Sequence, residues 1–281
     1  MPDTTFFLKV SRPRFWIYVF GPYLVGLAAG AASREDLLRL DALLFGLYFL
    51  LPANLLIYGV NDIFDWETDR LNPKKTEYET LVQPGSHRQL IFWIAVLNIP
   101  FVVATYILAP QALPSLAGFI FFSVFYSATP IRAKTVPFID SLFNVLYVFP
   151  AAFAYQMLTG TFLPLGIFAA AGLWTMAMHA YSAIPDIKAD EEAGLATIAT
   201  QLGETWTHIF CIACYFVAIL ICFDAGFAAP AIIGAAYLFL MLLSLRVKGD
   251  MGIFTFYRLF PIINTIAGFA LFWLVAWPKF F

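Results

Sequence analysis

Charge is scarce in this 281-residue chain. Asp, Glu, Lys and Arg make up 12% of it, against 62% hydrophobic residues, where a soluble domain carries roughly a quarter charged. That scarcity excludes a soluble globular domain and marks an integral membrane protein. A basic excess is missing too: 16 Lys and Arg stand against 18 Asp and Glu, for a net charge of −2. That balance argues neither way about nucleic acid, no nucleic-acid motif is present, and no such partner is expected. Cysteine is confined to Cys211, Cys214 and Cys222 in "HIFCIACYFVAILICF". A structural zinc site takes four ligands, usually from two C-x2-C pairs. There is no second pair, so these read as small buried hydrophobes. The start, "MPDTTFFLKVSRPRFW", lacks the pattern of a cleavable signal peptide.

What the chain has in abundance is long apolar runs. Crossing the hydrocarbon core as a helix takes about 20 apolar residues. By that measure about nine candidate spans lie near 14–32, 42–62, 90–109, 113–128, 139–158, 162–184, 206–223, 228–245 and 259–277. Connections after odd-numbered spans are mostly short and nearly neutral, such as "APQA" and "LTGT"; those after even-numbered spans are longer and charged. Lys9, Arg12 and Arg14, with Arg70, Lys74, Lys75, Arg88, Arg132, Lys134, Lys188, Arg246, Lys248 and Arg258, lie on one side. The positive-inside rule then places the N-terminus and all charged loops in the cytoplasm of a multi-pass inner-membrane protein.

Two of those loops open with acids. In "NDIFDWETDR" a helix continued past Asn61 sets Asp62, Asp65 and Asp69 at i, i+3 and i+7 on one face, with Tyr58 and Asn54 extending the stripe into the membrane. In "HAYSAIPDIKADEEAG", Asp186 and Asp190 are i, i+4, and His179 and Ser182 prolong their stripe; Pro185 is placed to kink the helix. The device recurs four spans apart. This suggests one transmembrane domain over 1–281 with a pseudo-repeat of four-helix units near 14–128 and 139–245.

Stacked like charges near a bilayer are costly, about 2.5–3.5 kcal/mol each at the membrane centre and less at its edge. A solvated helix end explains one such cluster, but two on the same side ask for neutralisation. Oxygen-only ligand sets suit hard cations, and Mg2+ bridges one or two carboxylates to substrate phosphates. The expectation is Mg2+ held by Asp62, Asp65, Asp69, Asp186 and Asp190 with a diphosphate. Fixed cations for its oxygens are available in "YSATPIRAKTVPFID", where Arg132 and Lys134 follow Tyr126, and in Arg70, Lys74 and Lys75. Topology alone also accounts for each of them. Asp140, Asn144 and Tyr147 form a further polar stripe, which lines a cavity or joins helices.

Together "NDIFDWETDRLNPKK", "YSATPIRAKTVPFID" and "YSAIPDIKADEEAG" resemble the UbiA superfamily of intramembrane prenyltransferases. The resemblance implies an all-α fold, a ring of nine transmembrane helices around a central cavity open sideways to lipid. Asn61, Asp62, Asp65 and Asp69 match its first motif, Asp186 and Asp190 its second, and Tyr126, Arg132 and Lys134 its basic loop. "SRPRFWIYVFGPYLVG", "NPKK" and "HAYSAIPDIKADEEAGLATIATQLG" look most like the lycopene elongase subgroup. That implies Mg2+-dependent transfer from dimethylallyl diphosphate to a lipophilic acceptor taken from the membrane lipids, an acyclic carotenoid such as lycopene. Quinone, chlorophyll and haem prenyltransferases share the aspartates, so an aromatic or tetrapyrrole acceptor is the alternative. On this reading Asp62, Asp65, Asp186, Asp190 and Tyr126 are catalytic. Asn54, Tyr58, Asn61, Arg70, Arg132, Lys134, Asn144 and His179 bind substrate, with His179 a candidate proton acceptor. A transporter using acids as a cation relay would need them near mid-span. A CDP-alcohol phosphotransferase would need D-x-x-D-G, and Asp65 is followed by "WETD".

Overall fold

The computed structural model describes residues 4–70, 80–247 and 250–281; Lys74, Lys75 and Lys248 lie outside the described residues. Every regular element among those residues is helical. In chain order the α-helices are α1 Thr4–Val10, α2 Ile17–Gly30, α3 Leu40–Leu50, α4 Pro52–Phe64, α5 Trp66–Asp69, α6 His87–Leu108 and α7 Leu113–Phe125. They continue with α8 Ile139–Leu142, α9 Phe149–Thr159, α10 Leu165–Ala183, α11 Ile187–Glu192, α12 Ile198–Asp224, α13 Ala228–Ser244 and α14 Asp250–Phe280. They gather into two compact units. The first takes in the chain up to Arg132 with Phe149–Phe162 and Phe280; the second takes in Ala133–Val148, Leu163–Lys279 and Phe281. Helix α9, counted by sequence in the second four-helix repeat, therefore packs in the first unit.

Among the described residues, five stretches are long and apolar enough to cross a membrane: Leu40–Phe64, Pro84–Leu108, Leu165–Glu192, Ile198–Asp224 and Gly252–Phe280. Ile139–Tyr147 with Phe149–Thr159, bent by 40°, makes a sixth if the pair is one span. The remaining expected spans are helical but short. Helix α7 has 13 residues and α2 has 14, about 20 Å of rise against a hydrocarbon core of about 30 Å. At α7 proline sets the limit, since Pro110 and Pro114 sit at helix starts and proline cannot donate to the ladder.

In the first unit, the apolar run 40–64 is broken at Leu51 (φ −118°, ψ −61°), with Pro52 opening α4. Breaking a helix inside a bilayer frees carbonyls that lipid cannot satisfy. Here Asn54 Nδ2 donates to Phe49 O (3.1 Å) and Leu50 O (2.9 Å), and Asn98 Nδ2 donates to Pro52 O (3.2 Å). Below the break, Phe49 stacks on Tyr23 and meets Phe119 and Phe153 edge-on at 5.2–5.5 Å. Helices α2 and α9 touch backbone to backbone, because a Cβ on Gly26 would run into Ala151. Gly26→Val should therefore cost about 3 kcal/mol by overpacking, read as a lowered thermal midpoint and a broadened gel-filtration peak in detergent. An unchanged midpoint would show that the two helices separate without penalty.

The second unit is held by a buried polar chain. His208 Nδ1 donates to Glu204 O at 3.0 Å, and its Nε2 lies 3.2 Å from Ser244 Oγ. Ser244 Oγ in turn lies 2.7 Å from Tyr181 Oη. Tyr181, His208 and Ser244 belong to α10, α12 and α13, so the chain ties three helices. Satisfied polar groups of this kind hold apolar helices in register. Cys211 and Cys214 are buried within the same packing, Cys222 in a separate cluster with Ala170, Ala218 and Ala231, and Cys211 Sγ donates to Ala177 O at 3.3 Å. The outer surface of α14 is apolar as lipid contact requires, with Ile262, Ile266 and Phe269 exposed.

Candidate active site

Polar side chains of the first unit gather at the last turns of α4. Asp62 and Asp65 are only 4% and 2% exposed, and a carboxylate so buried needs a counter-ion or donors. Arg12 supplies one, with Nη2 2.7 Å from Asp62 Oδ1. Its guanidinium also lies 4.7 Å from the centre of the Tyr58 ring, one turn away. By sequence Arg12 had counted only toward topology. Its backbone is left-handed (φ 51°, ψ 72°), a conformation costing a non-glycine residue about 1–2 kcal/mol and concentrated at functional sites. Pro13 follows it and disfavours the helical region there, so the Arg-Pro step was the available signal. Arg132 is a second such residue, with φ 44°.

Asn61 joins the acids to the basic loop. Its amide donates to Asp65 Oδ2 (2.5 Å) and to Ser127 Oγ (2.9 Å). Ser127 is the buried serine of "YSATPIR", so the start of that loop meets the first acidic motif. Tyr126 closes α7 through a bond from its N–H to Phe122 O, and Arg132 N–H donates to Ala128 O at 2.9 Å.

The stripe expected on one continuous helix is interrupted. Helix α4 stops at Phe64, Asp65 is non-helical (φ −102°, ψ 4°), and α5 restarts at Trp66. Bonds from Asp65 N–H to Asn61 O and from Asp69 N–H to Asp65 O preserve helical spacing on either side. Asp62 and Asp65 are thus buried at a helix end, while Asp69 lies half-buried beyond it. Arg70 pairs with Glu67 at 3.0 Å in an exposed contact, worth little in water. Asn54 is wholly buried and both its amide hydrogens serve the break at Leu51, a task its expected place in the stripe did not include.

The second motif, in the second unit, is interrupted in the same manner. Helix α10 ends at Ala183, a tight turn Ile184–Asp186 containing Pro185 follows, and α11 begins at Ile187. Asp186 and Asp190 flank the start of α11, where the helix dipole favours negative charge; both are half-buried. His179 is half-buried on the last turns of α10, and its carbonyl accepts from Ser182 Oγ at 2.7 Å. Lys134 is half-buried on the turn Ala133–Thr135. Asn144 Nδ2 donates to Asp140 O at 2.8 Å, one turn back in the same stretch.

These donor sets fit a hard cation. Residues 61–70 carry four carboxylates and one arginine, and 183–194 carry four carboxylates and one lysine, a formal −3 in each. All the ligand atoms are oxygens. Among the described residues no three Asp, Glu, His or Cys side chains are grouped so as to hold a metal ion; Mg2+ in general keeps several waters and takes one or two protein carboxylates.

The sequence profile of the UbiA prenyltransferase family matches residues 19–259. The lycopene elongase/hydratase of Haloferax volcanii is 41% identical over 268 residues, covering 95% of this chain and 87% of that protein. The lycopene elongase/hydratase of Halobacterium salinarum is 40% identical over 261 residues, 92% of each. Among solved structures, a UbiA homolog from Archaeoglobus fulgidus bound to DMAPP and Mg2+ superposes with a TM-score of 0.74 at 19% identity. That match spans 96% of this chain and 99% of that one, and shows a shared fold.

Proposed function

The chain belongs to the UbiA prenyltransferase family, and from that premise we propose that it transfers a dimethylallyl group from dimethylallyl diphosphate to an acyclic carotenoid such as lycopene. The observation that carries the acceptor is 40–41% identity across nearly the whole chain to two lycopene elongase/hydratases. The donor follows the same relatives and the shared fold with a structure that holds DMAPP and Mg2+. On this reading the N-terminus and both acidic motifs face the cytoplasm of an inner-membrane enzyme, and the acceptor arrives from the lipid.

Asp62, Asp65, Asp69, Asp186 and Asp190 would hold Mg2+, which when bound offsets charge on the departing pyrophosphate. Arg132, Lys134 and Arg70 bind diphosphate oxygens, the arginines by paired N–H groups and the lysine as a point charge. Asn61 fixes the rotamer of Asp65 through its 2.5 Å bond. Arg12 holds Asp62 and Tyr58 in one arrangement before substrate arrives, so little reorganisation remains for the reaction. Ring faces at Tyr58 and Tyr126 attract the allylic cation, and the apolar surroundings keep water from it. Proton loss from the prenylated polyene falls to His179, the histidine on the last turns of α10 before the second motif.

The test is product analysis. Membranes containing the protein, given labelled dimethylallyl diphosphate, lycopene and Mg2+, should yield a labelled carotenoid longer than lycopene. EDTA should abolish the label and added Mg2+ restore it. Label transferred to an aromatic acid but never to lycopene would replace the acceptor; transfer insensitive to EDTA would remove the metal reading.

A further inference from the structure

The second unit contains a buried carboxylate that the chemistry above does not use. Asp140 is 0% exposed. Its Oδ2 accepts from the Ile198 N–H at 2.8 Å and its Oδ1 from the Ser141 N–H at 2.6 Å. Ile198 is the first residue of α12, whose first helical stretch runs to a break at Gly203 (φ 71°, ψ 171°) before the helix resumes. Asp140 therefore caps that helix from 58 positions away in sequence. It takes one of the four N–H groups that a helix start leaves unpartnered and sets a negative charge at the positive end of the dipole. Local capping is also in place: Thr197 Oγ1 accepts from Thr200 N–H, and Thr200 Oγ1 accepts from Thr197 N–H. A helix already capped by its own threonine does not need a buried acid to start.

The connections on either side of Asp140 give it a second use. Toward the N-terminus, its own N–H donates to Val136 O and Val136 N–H donates to Ala133 O, which closes the turn that carries Lys134. Toward the C-terminus, Ile198 lies three residues after Leu195, whose N–H donates to Asp190 O at 2.8 Å. Gly194 between them is left-handed (φ 67°), so the return from Asp190 to α12 is a tight turn with few free torsions. One carboxylate thus fixes the backbone under the basic loop to the backbone under the second acidic motif, inside one compact unit.

We infer that Asp140 is a positioning residue for the donor site: it sets Asp190 and Lys134 in register through the start of α12, touching neither metal nor substrate. The inference rests on the assignment of Asp190 to Mg2+ and Lys134 to diphosphate. Groups that orient metal-binding carboxylates from behind typically change metal affinity by about 10–100-fold when altered.

The test compares purified wild-type protein with Asp140→Asn, which keeps the shape and removes the charge and one acceptor. Two quantities are read: hydrogen exchange of backbone amides over 194–201 without metal, and Mg2+-dependent binding of dimethylallyl S-thiolodiphosphate. Asp140→Asn should speed exchange there and weaken thiolodiphosphate binding about tenfold, with a matching rise in the Mg2+ needed for half-saturation. In turnover assays KM should rise more than kcat falls. Faster exchange with unchanged binding would make the cap purely structural and overturn the inference, and so would unchanged exchange. If Asp140→Asn does not fold, Thr197→Ala loosens the same helix start without touching the buried acid. It should shift binding in the same direction by a smaller factor, and no shift would again overturn the inference. A wild-type protein that binds the thiolodiphosphate without regard to Mg2+ removes the metal assignment itself and the inference with it. A Mg2+-responsive wild type with an unaltered Asp140→Asn removes the inference alone.

Discussion

Asp65→Asn should leave a folded, membrane-inserted protein whose kcat/KM for prenyl transfer is lower by about a thousandfold, roughly 4 kcal/mol of lost transition-state stabilisation. The substitution is nearly isosteric. Asp65 is 2% exposed and its Oδ2 receives the Asn61 amide; the asparagine carbonyl can accept the same bond, so packing is preserved. What disappears is one negative charge just before the four-residue α5, where the helix dipole makes it worth about 0.3–1 kcal/mol at most. Stability should change little for that reason, and activity a great deal. Asp186→Asn, on the tight turn before α11, should behave alike. Turnover of labelled dimethylallyl diphosphate, beside a gel-filtration profile and a melt of each variant, gives the answer. Near-normal turnover in either variant would end the metal-diphosphate reading of that motif.

Arg12→Ala should be damaging in a different manner, lowering stability as well as activity. Arg12 makes the 2.7 Å ion pair to a nearly buried Asp62 and lies over the Tyr58 ring. Removing one member of a buried pair costs about 3–5 kcal/mol, since the remaining charge has lost its compensation. For a protein of this size about 3 kcal/mol corresponds to a fall of about 10 °C in the thermal midpoint. Arg12→Lys keeps the charge but not the planar fork, so it should fall between the two. The double variant Arg12→Ala with Asp62→Ala should melt higher than Arg12→Ala alone, because the stranded charge is gone as well. A midpoint for Arg12→Ala equal to wild type would show that the pair contributes nothing to the fold.

The contrast between these two residues shows which parts of the protein were legible in its sequence. Asp65 was visible because its signal is local: charges breaking a long apolar run, at helical spacing, echoed at Asp186 and Asp190. Helical class and membrane residence were equally visible, since hydropathy needs no partner to be read. Arg12 was not, because its meaning depends on a side chain 50 residues away, and an N-terminal arginine is also what topology demands. The same holds for Asp140 and Ile198. Interruptions inside apolar runs were hidden too. Pro52 gave a hint of the break at Leu51, but nothing in "NDIFDWETDR" marks Asp65 as the residue where the ladder stops. Hydropathy counts apolar residues and does not mark where the ladder breaks within a run of them.

The bend at Leu51 bears on how the protein is made. Two of the carbonyls at the break, of Phe49 and Leu50, are satisfied by Asn54, five residues away at most. A break served so close by leans little on any other helix. It can form as the apolar segment 40–64 enters the bilayer, in the first of the two stages by which membrane proteins are assembled, before helices associate. The segment carrying Asp62 and Asp65 would then reach its neighbours already shaped. Asn98, which reaches Pro52 from α6, adds its bond to a geometry that the nascent chain has set for itself.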